Sequence, residues 1–185
     1  MKKIILGITG ASGSLYAWEF LKIMAAQEVE VHLVVSAAGE QVLQLELGMG
    51  REELDALVAH RHHIHDFAAP ISSGSAVFAG MAILPCSMGT LAAVAGGLSG
   101  NLIQRAADVT LKERRPLVLA VRETPLNRTH LANMLRAHEA GATICPAMPG
   151  FYHRPRDLNE LARAFAGRVA EQLGFTVPDL PRWQG

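Results

Sequence analysis

Three stretches of glycine and small hydroxyl residues have types and spacing suited to chemistry. They are Gly10-Ala11-Ser12-Gly13, Ser72-Ser73-Gly74-Ser75 and Pro85-Cys86-Ser87-Met88-Gly89-Thr90. Glycine lets a backbone approach a ligand closely, and a helix that starts just after such a loop offers backbone N–H groups to an anion. The first stretch lacks the full Gly-x-Gly-x-x-Gly spacing and by itself reads equally well as a tight turn. Its place after the first apolar run favours contact with a phosphate or a flavin. Singly, each stretch also reads as an ordinary loop whose Ser or Thr caps a helix. Together, at the ends of apolar runs, they sit where an open α/β sheet binds ligands.

Charged residues make a second set. The segment from Arg105-Ala106-Ala107-Asp108 to Lys112-Glu113-Arg114-Arg115-Pro116 runs straight into apolar Leu117–Val121, which ends at Arg122-Glu123-Thr124-Pro125. Glu113, Arg114 and Arg115 read as a solvated helix face with i,i+4 pairs. Arg122 and Glu123, a charged pair at the end of a buried strand, fit an active-site arrangement better. Farther on, Tyr152 in Phe151-Tyr152-His153-Arg154-Pro155 could donate to a phosphate, and Arg168 could add charge, although alone it reads as a surface residue. His60, His62, His63 and His65 look like a metal tract. Their spacing is irregular and they lie in a polar connector, so no metal site is expected. Cys86 has no sequence-adjacent base and reads as packing.

The elements that must position these residues alternate. Lys3–Thr9, Val29–Val35, Met81–Pro85, Leu117–Val121 and Thr143–Pro146 are short apolar runs, as expected of strands buried on both faces of a parallel sheet. Between them, Leu15, Trp18, Leu21 and Met24 share a helical face, as do Leu158, Leu161, Phe165, Val169 and Leu173 behind a capping-box-like Asp157 and Glu160. Helices are also expected around Val42–Leu47, with a partly helical polar segment to His60, and at Leu91–Ala95, Ile103–Leu111 and Leu131–His138. Strand–helix alternation predicts a doubly wound α/β sandwich in one domain, residues 1–185, with Gly174–Gly185 as an irregular tail.

Composition bounds the rest. The 185 residues are half hydrophobic, and 17 Lys+Arg balance 17 Asp+Glu. A neutral chain lacks the electrostatic footprint of a nucleic-acid or anionic-membrane binder. The mean hydropathy of +0.20 is high, yet no run approaches the ~20 apolar residues of a spanning helix, so buried contacts between subunits are expected. Two cysteines without a CxxC motif, and an apolar start interrupted at Gly7, predict reduced thiols, no cleaved leader and a cytoplasmic location.

The ordered set Thr9–Gly13, the Ser36 region, Ser73–Ser75, Pro85–Ser87, Arg105–Leu117, Arg122–Pro125, Pro149–His153 and Leu180–Trp183 resembles the UbiX-like flavin prenyltransferases nearly end to end. The resemblance implies a flavodoxin-like, Rossmann-type three-layer sandwich with a mostly parallel sheet, in a homododecamer with active sites built where subunits meet. It implies transfer of a dimethylallyl group from dimethylallyl monophosphate to N5 and C6 of reduced FMN, without a metal, making prenylated FMN for UbiD-like decarboxylases. By position, Gly10, Ala11, Ser12, Ser36, Ser87, Met88, Gly89, Thr90, Arg105 and Arg122 would contact FMN. Lys112, Arg122, Tyr152 and Arg168 would hold the substrate phosphate. Ser12 and Glu46 would handle protons, Glu123 would lie near the phosphate, and Trp183 would close over the site. Ala37 stands where many relatives carry Lys, Met88-Gly89 varies from other versions of its loop, and Phe67 lies where some relatives place another aromatic near the prenyl site; these bear on substrate preference. Two other classes share parts of this pattern. An FMN-dependent cysteine decarboxylase would carry a Pro-x-Ser-Ala-Asn-Thr loop, which here is Pro85-Cys86-Ser87-Met88-Gly89-Thr90. A non-catalytic flavin carrier would need the small-residue loops but not Lys112, Glu123, Tyr152 and Arg168.

Overall fold

The computed structural model describes residues 1–183, the side chain of Arg51 excepted; Gln184 and Gly185, the last two positions of the expected tail, lie outside them. Six strands, β1 (Lys3–Ile8), β2 (Glu30–Val35), β3 (His60–His62), β4 (Gly80–Cys86), β5 (Leu117–Val121) and β6 (Thr143–Ile144), form one sheet in the order β3-β2-β1-β4-β5-β6. Every pairing is parallel. The helices are α1 (Ser14–Ala26), α2 (Ala37–Leu47), α3 (Arg51–Asp55), α4 (Met88–Ala95), α5 (Leu102–Lys112), α6 (Arg128–Glu139) and α7 (Leu158–Gln172).

Side chains alternate across a strand, and both faces are apolar. Ile4, Leu6 and Ile8 of β1 and Val118 and Ala120 of β5 pack against Phe20, Leu21 and Met24 of α1 and Phe165 and Val169 of α7. Ile5 of β1 and Leu117, Leu119 and Val121 of β5 pack against Leu91 of α4, Ile103 and Ala106 of α5 and Ala137 of α6. Three layers result, because continuous apolar strands must be covered on both sides.

The expected strands are all present, each within one or two residues of its apolar run. The difference is β3. His60–His62 was expected in a connector, but it is an edge strand paired to β2, with His32 beside His60 and Val34 beside His62. Its polar composition suits an edge, and only the neighbouring strand makes it extended. Beyond α7 the chain is irregular, as expected, yet Phe175, Val177 and Leu180 are buried in the core. Asp157 caps α7 through the Glu160 N–H (2.8 Å), while the Glu160 carboxylate accepts from the N–H of Arg156 instead of that of Asp157.

Candidate active site

The chain winds outward through β2 and β3 on one side of β1 and through β5 and β6 on one side of β4. Ligands bind in the crevice at such a switch point, beyond the carboxyl ends of the strands. The loops after β1 and β4 meet there, clasped by Thr9. Its buried hydroxyl donates to the Pro85 carbonyl (2.8 Å) and accepts from the Ser87 N–H (2.8 Å). A Cβ on Gly10 would come within 2.4 Å of Ala38 Cβ, so only glycine lets this loop lie against α2. Gly13 has φ +119°, in the left-handed region, and a Cβ there would sit 2.8 Å from the Tyr16 ring.

Ser36 and Ser87 are helix caps. Ser36 Oγ accepts from the Gly39 N–H (3.0 Å), and Ser87 Oγ accepts from the Thr90 N–H (3.4 Å) while its hydroxyl lies 3.1 Å from Thr90 Oγ1. At α1 the expectation needs correcting. The helix start does not offer all its N–H groups to an outside anion, because Glu46 reaches across from α2 and accepts from Gly13 (3.0 Å) and Ser14 (2.8 Å). Burial works to raise the Glu46 carboxyl, but bonds from the Ser12 hydroxyl and the Gly13 and Ser14 N–H groups outweigh it and hold it below its ordinary value. Glu46 is thus an ionised carboxylate beside Ser12, the pair to which proton handling was assigned.

Tyr16, which the sequence did not single out, lies in the first turn of α1 against Gly13. Burial raises its phenol, opposed by the charge of Arg122 and reinforced by that of Glu46. Its ring packs on Phe165 at 4.9 Å. Arg122 leaves the end of β5 with its N–H on the Cys86 carbonyl (3.2 Å). Cys86 itself is fully buried, its thiol pushed up to about 12 by desolvation, which agrees with a packing role.

Beyond Phe165 opens a cleft of about 290 Å³, lined by Cys145, Met148, Tyr152, His153, Phe165 and Arg168 among others. The Cys145 thiol is raised by burial and lowered by the Arg168 charge, which places the guanidinium near it. Both ring nitrogens of His153 are shielded and without a hydrogen-bond partner among the described residues. The tail closes one side: the Tyr152 hydroxyl donates to the Pro181 carbonyl (3.1 Å), and Trp183 stands edge-on to Tyr152 at 5.6 Å. Glu171 pairs with Arg168 and, at 2.6 Å, with Arg182 of the tail. Glu171 carried no signal in the sequence, because its partners Arg168 and Arg182 come from α7 and the tail.

One expected phosphate contact lies at the other end of the sheet. Lys112 ends α5, before β5, and pairs with Glu113 against Gly74. Arg122 follows β5, so a strand of five residues, about 16 Å at ~3.3 Å per residue, separates the two in one chain. Arg105 donates to the Ser72 carbonyl (3.1 Å) and pairs with Asp108 (2.9 Å). Glu123 is exposed and accepts from the Thr124 N–H (3.0 Å). The histidine tract also divides. His63 and His65 face each other with ring centroids 5.7 Å apart. His62 turns toward His32, and burial first of all pushes both of these rings below the ordinary histidine value.

Residues 1–163 match the flavoprotein family model. The flavin prenyltransferase UbiX of Deinococcus radiodurans is 49% identical over 182 residues, covering 98% of this chain and 93% of that protein. The chain belongs to the flavin prenyltransferases. AnUbiX (PadA1), solved in complex with FMN and dimethylallyl pyrophosphate, superposes with a TM-score of 0.97 at 41% identity, covering 100% of this chain and 98% of that one. The dodecameric FMN-dependent UbiX-like decarboxylase of Escherichia coli O157:H7 superposes at 0.96 with 41% identity, covering 99% and 100%. The expected flavodoxin-like fold and prenyltransferase membership therefore hold over the whole described chain. Among the described residues no helix is long and apolar enough to cross a membrane.

Proposed function

We propose that this chain joins the dimethylallyl group of dimethylallyl monophosphate to N5 and C6 of reduced FMN, releasing phosphate and making prenylated FMN for UbiD-like decarboxylases. One observation carries this: Tyr152 and Arg168, from a loop and from α7, line one partly apolar cleft, whose Phe165 packs on Tyr16. At about 290 Å³ the cleft is near the lower limit of small-molecule sites, which suits a five-carbon phosphate ester.

The loops fit a flavin phosphate. A Cβ on Gly89 meets nothing within 4 Å, leaving the crevice open beside the first turn of α4, whose early N–H groups have no intrahelical acceptor. Gly10, Ala11, Ser12, Ser36 and Ser87–Thr90 form its walls. Reduced FMN, when bound, supplies the electrons for both new bonds. Arg168, Tyr152 and Arg122 stabilise the charge that grows on the phosphate as the C–O bond breaks. Glu46 holds Ser12 as a proton relay, and Glu123 or the released phosphate takes the ring proton. Trp183 shields the cleft.

Lys112 and Arg105 enter this site from neighbouring copies in a homododecamer. Exposed Leu131, Leu135, Met148, Phe151 and Leu158 supply apolar surface for such contacts, and the Escherichia coli relative is dodecameric. Residues 1–185 act as one domain in the cytoplasm. The test is anaerobic incubation with FMN, a reductant and dimethylallyl monophosphate or, in a parallel arm, the pyrophosphate, followed by the mass of the bound flavin. A gain of one C5H8 unit with the monophosphate is expected; an unchanged flavin mass in both arms overturns the assignment.

A further inference from the structure

At the opposite edge of the sheet from Cys145 and Arg168, four side chains that the proposed reaction does not use share one face. Parallel pairing sets His32 of β2 beside His60 of β3 and Val34 beside His62. Because alternate residues face the same way, Glu30 and His62 flank that pair. Glu30 Oε1 lies 3.0 Å from His32 Nε2 and 3.6 Å from His60 Nε2, and the three donor atoms all fall within 4.8 Å of one another. Tetrahedral zinc, with bonds of about 2.0–2.1 Å, holds its ligand atoms about 3.3 Å apart. The two separations to Glu30 Oε1 bracket that spacing.

We propose that Glu30, His32 and His60 bind one divalent cation of the zinc class on the β2–β3 edge. Two imidazoles and one carboxylate select zinc, cobalt or nickel over magnesium or calcium. His32 is the fixed ligand: it is 5% exposed, with the Phe78 ring edge-on at 4.8 Å. Its Nδ1 lies 2.9 Å from His62 Nε2. With the cation bound, His32 carries its proton on Nδ1, donates it to His62 Nε2 and leaves the Nε2 lone pair for the metal, the kind of outer support that orients metal-bound histidines. His60, 56% exposed, leaves an entry path and a fourth position for water. Lys3 Nζ, 3.1 Å from Glu30 Oε1, is the competitor. It occupies the carboxylate in the cation-free protein and swings into solvent when the cation enters. The cation would tie β3, a three-residue edge strand paired to β2, more firmly to the sheet.

The test uses full-length protein without a polyhistidine tag, stripped with a chelator and titrated with cobalt chloride, then with zinc chloride as displacer. One cobalt per chain with tetrahedral visible absorption is expected, together with a higher thermal midpoint in zinc and none in magnesium. His60→Ala and Glu30→Gln, both on the outer part of the edge, should abolish the tetrahedral spectrum. His62→Ala should weaken binding about 10–100-fold, and Lys3→Met should tighten it. The double variant His63→Ala, His65→Ala should leave binding unchanged. Absence of the tetrahedral spectrum, its persistence in both His60→Ala and Glu30→Gln, or its loss in the His63, His65 double variant overturns the proposal.

Discussion

Replacing Glu46 with Gln tests how the crevice is built. The carboxylate accepts two backbone bonds, 3.0 Å from Gly13 and 2.8 Å from Ser14, at the start of α1. Glutamine keeps one acceptor oxygen, loses the charge and turns an amide N–H₂ toward backbone donors. A carboxylate at a helix start is worth about 0.3–1 kcal/mol, and a charge-assisted bond about 1.5–3 kcal/mol when shielded. Glu46 is exposed, so screening reduces the second figure, and Glu46→Gln should cost about 1 kcal/mol at neutral pH. For a chain of this length that is about 2–4 °C in Tm. The pH dependence has a definite sign. Because the folded protein holds the Glu46 carboxyl below its ordinary 4.5, its stabilisation is full above that value and is lost as pH falls through the lower folded value. Urea midpoints of both proteins, followed from about pH 7 downward, should therefore converge in acid. A variant as stable as the parent at neutral pH, or a gap unchanged by acid, refutes this account of Glu46.

Other substitutions probe separate contacts. Thr9→Val keeps the shape but strips the half-buried Ser87 N–H of its acceptor, and should lower stability by about 1–3 kcal/mol in urea titration. Gly13→Ala forces a side chain into φ +119° and against the Tyr16 ring, and should cost about 1–3 kcal/mol by the same measurement. Arg168→Ala should slow the flavin mass gain about a hundredfold, or ~3 kcal/mol of barrier, while flavin absorbance shows binding retained. Glu171→Gln removes the charge shared by Arg168 and Arg182, and should speed tryptic cleavage after Arg182.

The sheet was largely legible because its strands are continuous apolar runs, a pattern set by burial on both faces and local in sequence. Helix starts at Asn101, Asn127 and Asp157 rest on caps three residues from the N–H they satisfy. Arg122, Tyr152 and Arg168 were legible as charged or polar groups at strand ends and on the last helix. What the residues alone could not show was β3, since a His-Arg-His strand is extended only through its pairing with β2. Nor could they show that Glu46 of α2 reaches back to the start of α1, because that contact depends on how the two helices pack and not on any local pattern.

Local chemistry, then, was written in the chain itself: which segments are apolar enough to bury, where helices begin, and which groups can carry charge. Tertiary structure alone decided the partners. Thr9 bonds a carbonyl 76 residues away, Glu46 meets an N–H 32 residues away, and Tyr16 meets Phe165 only because α1 and α7 cover the same face of the sheet. Those contacts depend on strand order, which is set by how the whole core packs and not by any short run of residues.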